Sequence, residues 1–198
     1  MHENDFYDDL AGALERSWRL LEEAIGDPTS PVRTPVLISI STGGLAQGRT
    51  VVLRGFNRQQ RQLKIYTDVR SAKVAQLQAQ PACTLVAYQP NPMMQLRLST
   101  NAIVNHNNEI THEAWAVMPG PNRCNYLTDP DPGSISGQAT DGRPAINAES
   151  VPTNNENKIA YSQFSVIVFT INELEWLYLP RRGHRRAQFI WDEANSLQ

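Results

Sequence analysis

The sequence predicts an α+β fold that is mainly β, an antiparallel barrel or sheet carrying a few peripheral helices. Three observations predict it. Short runs rich in β-branched and aromatic residues follow one another through the middle and end of the chain. Clusters of Gly, Pro, Asn and Asp separate them. Helical periodicity is confined to a few short stretches.

Taken in order, residues 6 to 25 read as an amphipathic helix. Phe6, Leu10, Leu14, Trp18, Leu21 and Ile25 recur at steps of three and four and share one face. Its polar face is largely acidic, which favours docking on the body of the protein over a membrane surface. Gly26 and Asp27-Pro28 stop it. Strands are predicted over PVLISIS (35–41), RTVVLRGF (49–56), QLKIYT (62–67), CTLVAY (83–88) and MQLRLSTNAIV (94–104). RSAKVAQLQAQ (70–80) has a helical pattern with Val74 and Leu77 facing inward, and a further helix is expected near Thr111 to Val117. From Asp129 to Asn157, Pro, Gly, Asn and Asp predominate, predicting an irregular excursion that is either functional or disordered. The chain returns in FSVIVFTI (164–171), EWLYLP (175–180) and AQFIWD (187–192). With no internal repeat, residues 1–198 read as one domain.

Composition narrows the function. Of 198 residues, 40% are hydrophobic and 19% charged, as in a globular protein. A formal net charge of -2 argues against nucleic acid as a partner, so any anion site must be local. Cys83 and Cys124 form no close pair and read as free thiols of a reducing compartment. The acidic start is unlike a signal peptide, and no run approaches the ~20 apolar residues of a membrane span. A cytoplasmic protein is expected. Metal-ligand spacing is absent from His2, His106, His112 and His184, and no nucleophile elbow or phosphate loop occurs.

Three clusters could bind an anion. Arg49 and Arg54 end one predicted strand; side-chain alternation sends them to opposite faces unless a bulge intervenes, and from composition alone solvated strand ends explain them better than a bound anion. In Tyr66-Thr67-Asp68-Val69-Arg70-Ser71-Ala72-Lys73 a strand hands over to a helix. The unpaired N–H groups of a helix start, with hydroxyls and a lysine beside them, suit a phosphate. A lysine there opposes the helix dipole and makes better sense with an anion in front of it. In Arg181-Arg182-Gly183-His184-Arg185-Arg186, an extended chain would put Arg182, His184 and Arg186 on one face, to be screened by a ligand, a partner or solvent.

Together, Arg-x-Val-x-Leu-Arg at 49–54, Tyr66-Thr67, Ser71-x-Lys73, Gln95 and the closing RRGHRR resemble the pyridoxamine 5′-phosphate oxidase family of FMN-binding split barrels. The resemblance spans about residues 30 to 125 and 160 to 192. It implies a split β-barrel that binds FMN as a homodimer, with the cofactor at the subunit interface. It also implies that Arg49, Ser71 and Lys73 hold the FMN phosphate, with Tyr66 and Thr67 lining the same site. Val51 and Val52 would offer backbone to the flavin ring, Gln95 would touch it, and Arg186 would reach the other subunit's cofactor. Arg54, Arg182 and His184 keep the family's substrate-side pattern. The chain departs from the family at Ala72, in an arginine position, and at Leu177, in a tryptophan position. Around the second helix the residues that would grip a substrate phosphate are replaced by Trp115, Met118 and Asn122. The resemblance therefore implies an oxidoreductase for a small molecule, with a pyridoxamine-phosphate oxidase and a non-catalytic flavin protein as alternatives.

Overall fold

A computed structural model describes residues 6–140, 142–143, 150–181, 183–192 and 197. Eight antiparallel strands form one sheet: β1 (Val36–Ile40), β2 (Ala46–Thr50), β3 (Leu53–Asn57), β4 (Gln62–Asp68), β5 (Ala82–Gln89), β6 (Met94–Asn105), β7 (Phe164–Tyr178) and β8 (Arg185–Ile190). Their order is β2-β1-β5-β6-β7-β4-β3, with β8 also on β7. The sheet curls but does not close.

Two features produce the split. The first is that β7 is a single 15-residue strand, where the sequence suggested two. One of its edges lies along β6. The other edge is shared, Phe164–Thr170 pairing with β4 and Glu173–Tyr178 with β8. The second is that the expected strand 49–56 is broken. Val51 and Val52 are outside the ladders, so β2 joins β1 at one end of the sheet while β3 joins β4 at the other. Burial alternates across the break, from Arg49 to Arg54, which is why the run reads as one strand.

Inward-facing side chains fill the barrel, among them Leu37, Leu53, Leu63, Ile65, Leu85, Leu96, Leu98, Phe169 and Trp176. Helix α1 (Leu10–Gly26) covers one opening. Its start is set by Asp9, whose carboxylate accepts from the Ala11 and Gly12 N–H groups at 3.3 and 2.8 Å. The buried stripe of α1 is Ala13, Ser17, Leu20, Leu21 and Ala24, with Trp18. This is offset from the predicted face: Leu10 is exposed and Phe6 sits in a preceding 3₁₀ turn. Small residues on the stripe let the helix axis approach the sheet. Trp18 packs on Phe56 and Trp191, with centroids 5.6 and 5.5 Å apart.

A second cluster lies outside the barrel. Helices α3 (Glu109–Ala116), α4 (Gly120–Arg123) and α5 (Asn154–Gln163) gather Trp115, Met118, Cys124, Leu127 and Ala160 against Phe164 and Val166. Helix α5 corrects the expected irregular stretch of 129–157, whose last four residues are helical. Thr153 and Glu156 form a capping box that starts it. Residues 129–140 and 142–143 are irregular as expected; 141 and 144–149 lie outside the described residues. Cys83 and Cys124 are buried free thiols whose pKa values burial raises. Among the described residues, no helix is long and apolar enough to cross a membrane.

Candidate functional site

Helix α2 (Ala72–Ala79) begins where β4 ends, and the site is built around that junction. Ser71 occupies the N-cap position, yet its hydroxyl does not cap the helix; it donates instead to the Asp68 carbonyl at 2.6 Å. Lys73 Nζ donates to Thr67 Oγ1 at 2.9 Å and to Ser71 Oγ at 3.1 Å. From the other side, Arg49 on β2 donates to Gln76 Oε1 at 3.0 Å and to the Ser39 hydroxyl. Gln76 is held in turn by Gln47, to which it donates at 2.9 Å. Register explains the meeting: Arg49 lies opposite Leu37, on the face that also carries Ser39 and supports α2.

Two cations thus share a small volume with neutral oxygens only. Among the described residues, neither Arg49 nor Lys73 has an ion-pair partner. Burial, with repulsion from Arg49 added, lowers the Lys73 pKa, and burial lowers that of Arg49. The nearby carboxylate Asp68 is engaged elsewhere, by Arg70 Nε at 3.0 Å and Nη2 at 2.7 Å. Arg70 also donates to the Thr128 carbonyl and to Gln163, tying the cradle turn to α5 and the loop after α4.

Arg54 lies in an adjoining pocket and not in the cradle. Side-chain alternation carries it to the face away from the buried Leu53, where its guanidinium sits 6.0 Å from the Tyr66 ring centroid. The pocket, about 110 Å³, is lined by Arg54, Tyr66, Met118, Asn122, Asn125 and Tyr126, with Val117 and Pro119 at its edge. Burial raises the pKa of both tyrosines, so the two phenols are neutral donors. Tyr66 and Thr67 are adjacent on β4 and point to opposite faces, Thr67 to the cradle and Tyr66 to this pocket.

The remaining predicted residues lie apart. Val51 is buried and Val52 partly exposed in the break between β2 and β3. Gln95 faces outward on β6, opposite Tyr88 and Leu177 and on the other side of the sheet from Arg49. Arg186 donates to Glu175, a buried carboxylate that also accepts from Arg97 at 2.7 Å. His184 is exposed in the β7–β8 turn, and Arg182 lies outside the described residues. No hydrogen bond or ion pair among the described residues joins Gln95, His184 or Arg186 to the cradle within one chain.

Sequence reasoning missed Gln76, Ser39, Tyr126, Asn125 and Glu175. The first two are brought to Arg49 by long-range pairing, which leaves no local pattern. Glu175 carried a readable signal, as a carboxylate between Leu174 and the apolar run that starts at Trp176.

Comparison with known proteins agrees with this architecture. Residues 15–106 match the family model described as pyridoxamine 5′-phosphate oxidase, FMN-binding domain. No curated protein sequence matches the chain. Among solved structures, a pyridoxamine 5′-phosphate oxidase-related, FMN-binding protein from Nostoc punctiforme superposes with a TM-score of 0.70 at 21% identity, covering 93% of each chain. PhzG from Burkholderia lata, in complex with tetrahydrophenazine-1-carboxylic acid, gives 0.65 at 15% identity, covering 98% of this chain and 96% of that one. A Clostridium acetobutylicum protein related to general stress protein 26 gives 0.54 at 10% identity, covering 94% and 96%. Residues 15–106 are thus similar to the pyridoxamine 5′-phosphate oxidase FMN-binding domain, and the chain as a whole has the split-barrel fold of these structures.

Proposed function

We propose that the chain is an FMN-dependent oxidoreductase acting on a small anionic molecule, and that Arg49, Thr67, Ser71 and Lys73 hold the cofactor's phosphate. One observation carries the reading. Two cations without carboxylate partners converge on the uncapped start of a helix, and the hydroxyls between them can turn to donate. A phosphate monoester brings about -1.5 to -2 charges and three acceptor oxygens, which suits that donor set. Arg49 and Lys73 would give up only neutral acceptors to bind it. Gln76 would keep the Arg49 guanidinium aimed, and Asp68, already tied to Arg70, would not compete.

Bound FMN supplies two-electron transfer at its ring system. The chain's contribution is placement. Val51 donates its N–H to the Pro35 carbonyl at 3.0 Å, so the Val52 N–H and the two valine carbonyls are the main-chain groups this break would offer the flavin, and Tyr66 would line the pocket on the other face of β4. Arg54 would orient an anionic substrate in its own pocket; Arg182 and His184, expected on the substrate side, would meet the molecule beyond that pocket. Gln95 and Arg186 lie on the sheet face away from Arg49, so their contacts to cofactor require a second copy. The outward face of β1 and β5 favours such a homodimer, exposing Val36 (39%) and Tyr88 (44%) beside the half-buried Ile38 and Val86. Membrane and nucleic acid have no part in this reading. A pyridoxamine-phosphate oxidase is disfavoured by the neutral Asn122 and the apolar Met118 in the substrate pocket.

Titration with FMN and with riboflavin, which lacks the phosphate, tests the cradle. FMN is expected to bind about a hundredfold more tightly or better, from two charge-assisted contacts; equal affinities would refute the assignment. Bleaching of the bound flavin by reduced nicotinamides or amines tests the oxidoreductase. If no donor bleaches it, a non-catalytic flavin protein is the better reading.

A further inference from the structure

The pocket beside Arg54 differs in charge from the cradle, and the difference specifies a ligand. Among the described residues its lining contains one guanidinium, Arg54, while Arg143 donates from outside the lining to Asn125 Oδ1 at 3.4 Å. The other polar groups lining it are two amides, Asn122 and Asn125, and two neutral phenols, Tyr66 and Tyr126. No carboxylate lines it, and Arg54 has no ion-pair partner among the described residues. Its walls are otherwise aromatic or apolar: the Tyr66 ring lies beneath the guanidinium, Tyr126 packs edge-on against Phe164 at 5.0 Å, and Met118 is buried.

Resting on the reading above, we propose that this pocket selects a flat, conjugated monocarboxylate over a phosphate ester of the same size. The charge count decides it. A phosphate monoester carries close to two negative charges near neutral pH and is stably held by two or more cations, as the cradle provides. A carboxylate carries one charge, and its two oxygens match one guanidinium fork. Asn122 and Asn125 can satisfy remaining acceptors, but neither neutralises a second charge. A planar body can lie against Tyr66 and Tyr126, with the thioether of Met118 adapting to its edge.

The test is calorimetric titration of the FMN-loaded protein with benzoate, phenyl phosphate and benzamide, which share a ring and differ in charge. Filling the cradle with FMN keeps the probes from Arg49 and Lys73. Benzoate is expected to bind about tenfold more tightly than either other probe, the effect of one charge-assisted contact. In Arg54→Gln that advantage should vanish while FMN affinity is unchanged. Phenyl phosphate binding as tightly as benzoate would mean that a further cation completes the pocket, and would overturn the proposal. So would benzoate affinity that is insensitive to Arg54→Gln, or no heat from benzoate at millimolar concentration. None of these outcomes touches the cradle, which the FMN and riboflavin titrations test separately.

Discussion

Lys73→Met is the most informative single change, because its effects on folding and on binding should separate. In the wild-type chain the ammonium donates to Thr67 and Ser71, contacts worth about 0.5–1.5 kcal/mol each. Against this stand partial burial of the charge and repulsion from Arg49, which lower the Lys73 pKa. After substitution the two hydroxyls keep each other, 3.1 Å apart, and Ser71 keeps the Asp68 carbonyl. The methionine stem refills the volume. Gain and loss are of similar size, so global stability should change by less than about 1 kcal/mol. FMN affinity should fall by about 1.5–3 kcal/mol, roughly 10- to 150-fold, since a charged donor to the phosphate is removed. Flavin fluorescence quenching gives the affinity and urea unfolding of the cofactor-free protein gives the stability. Parallel losses in both would show that Lys73 is structural, and would refute the cradle argument.

Lys73 also sets a pH dependence. Its lowered pKa means that the cofactor-free fold is penalised while the lysine is charged, a penalty relieved as pH rises through that pKa. FMN binding needs the charged form, so affinity should decline on the alkaline side below the usual lysine range, and Lys73→Arg should move the decline upward; an unchanged profile in Lys73→Arg would count against the assignment. Glu175→Gln, leaving Arg97 and Arg186 without their shared carboxylate, should cost about 1–3 kcal/mol in urea unfolding. Tyr88→Lys, on the exposed face of β5, should halve the native mass measured by light scattering and weaken FMN. A dimer that survives it with full FMN affinity would place the interface elsewhere.

How far the fold was legible depends on the range of the forces involved. Strands β4, β5 and β6 announce themselves through local alternation and the turns between them. The break at Val51-Val52 does not, because the divergence of β2 and β3 is decided by β1 and β4, distant in sequence. Helix α5 was missed because NNENKIAYSQ buries only Ala160 and so shows almost no apolar stripe. Its Thr153-x-x-Glu156 capping box was nevertheless present in the sequence. The cradle was readable at Tyr66–Lys73, a continuous segment, and its link to Arg49 through Gln76 was not. The resemblance implies that Arg186 reaches the other subunit's cofactor; within its own chain it donates to Glu175, a pairing set by strand register that no local pattern announces.

The shared edge of β7 has a consequence for how the protein assembles during synthesis. Strands β4 and β6 leave the ribosome well before residues 164–178, yet neither has its full set of neighbours until that segment arrives. Their unpaired backbone groups must wait for a partner about a hundred residues downstream of β4, a separation that makes closure slow. A nascent chain paused before residue 164 would therefore expose two open edges at once, and its yield should respond to chaperone supply.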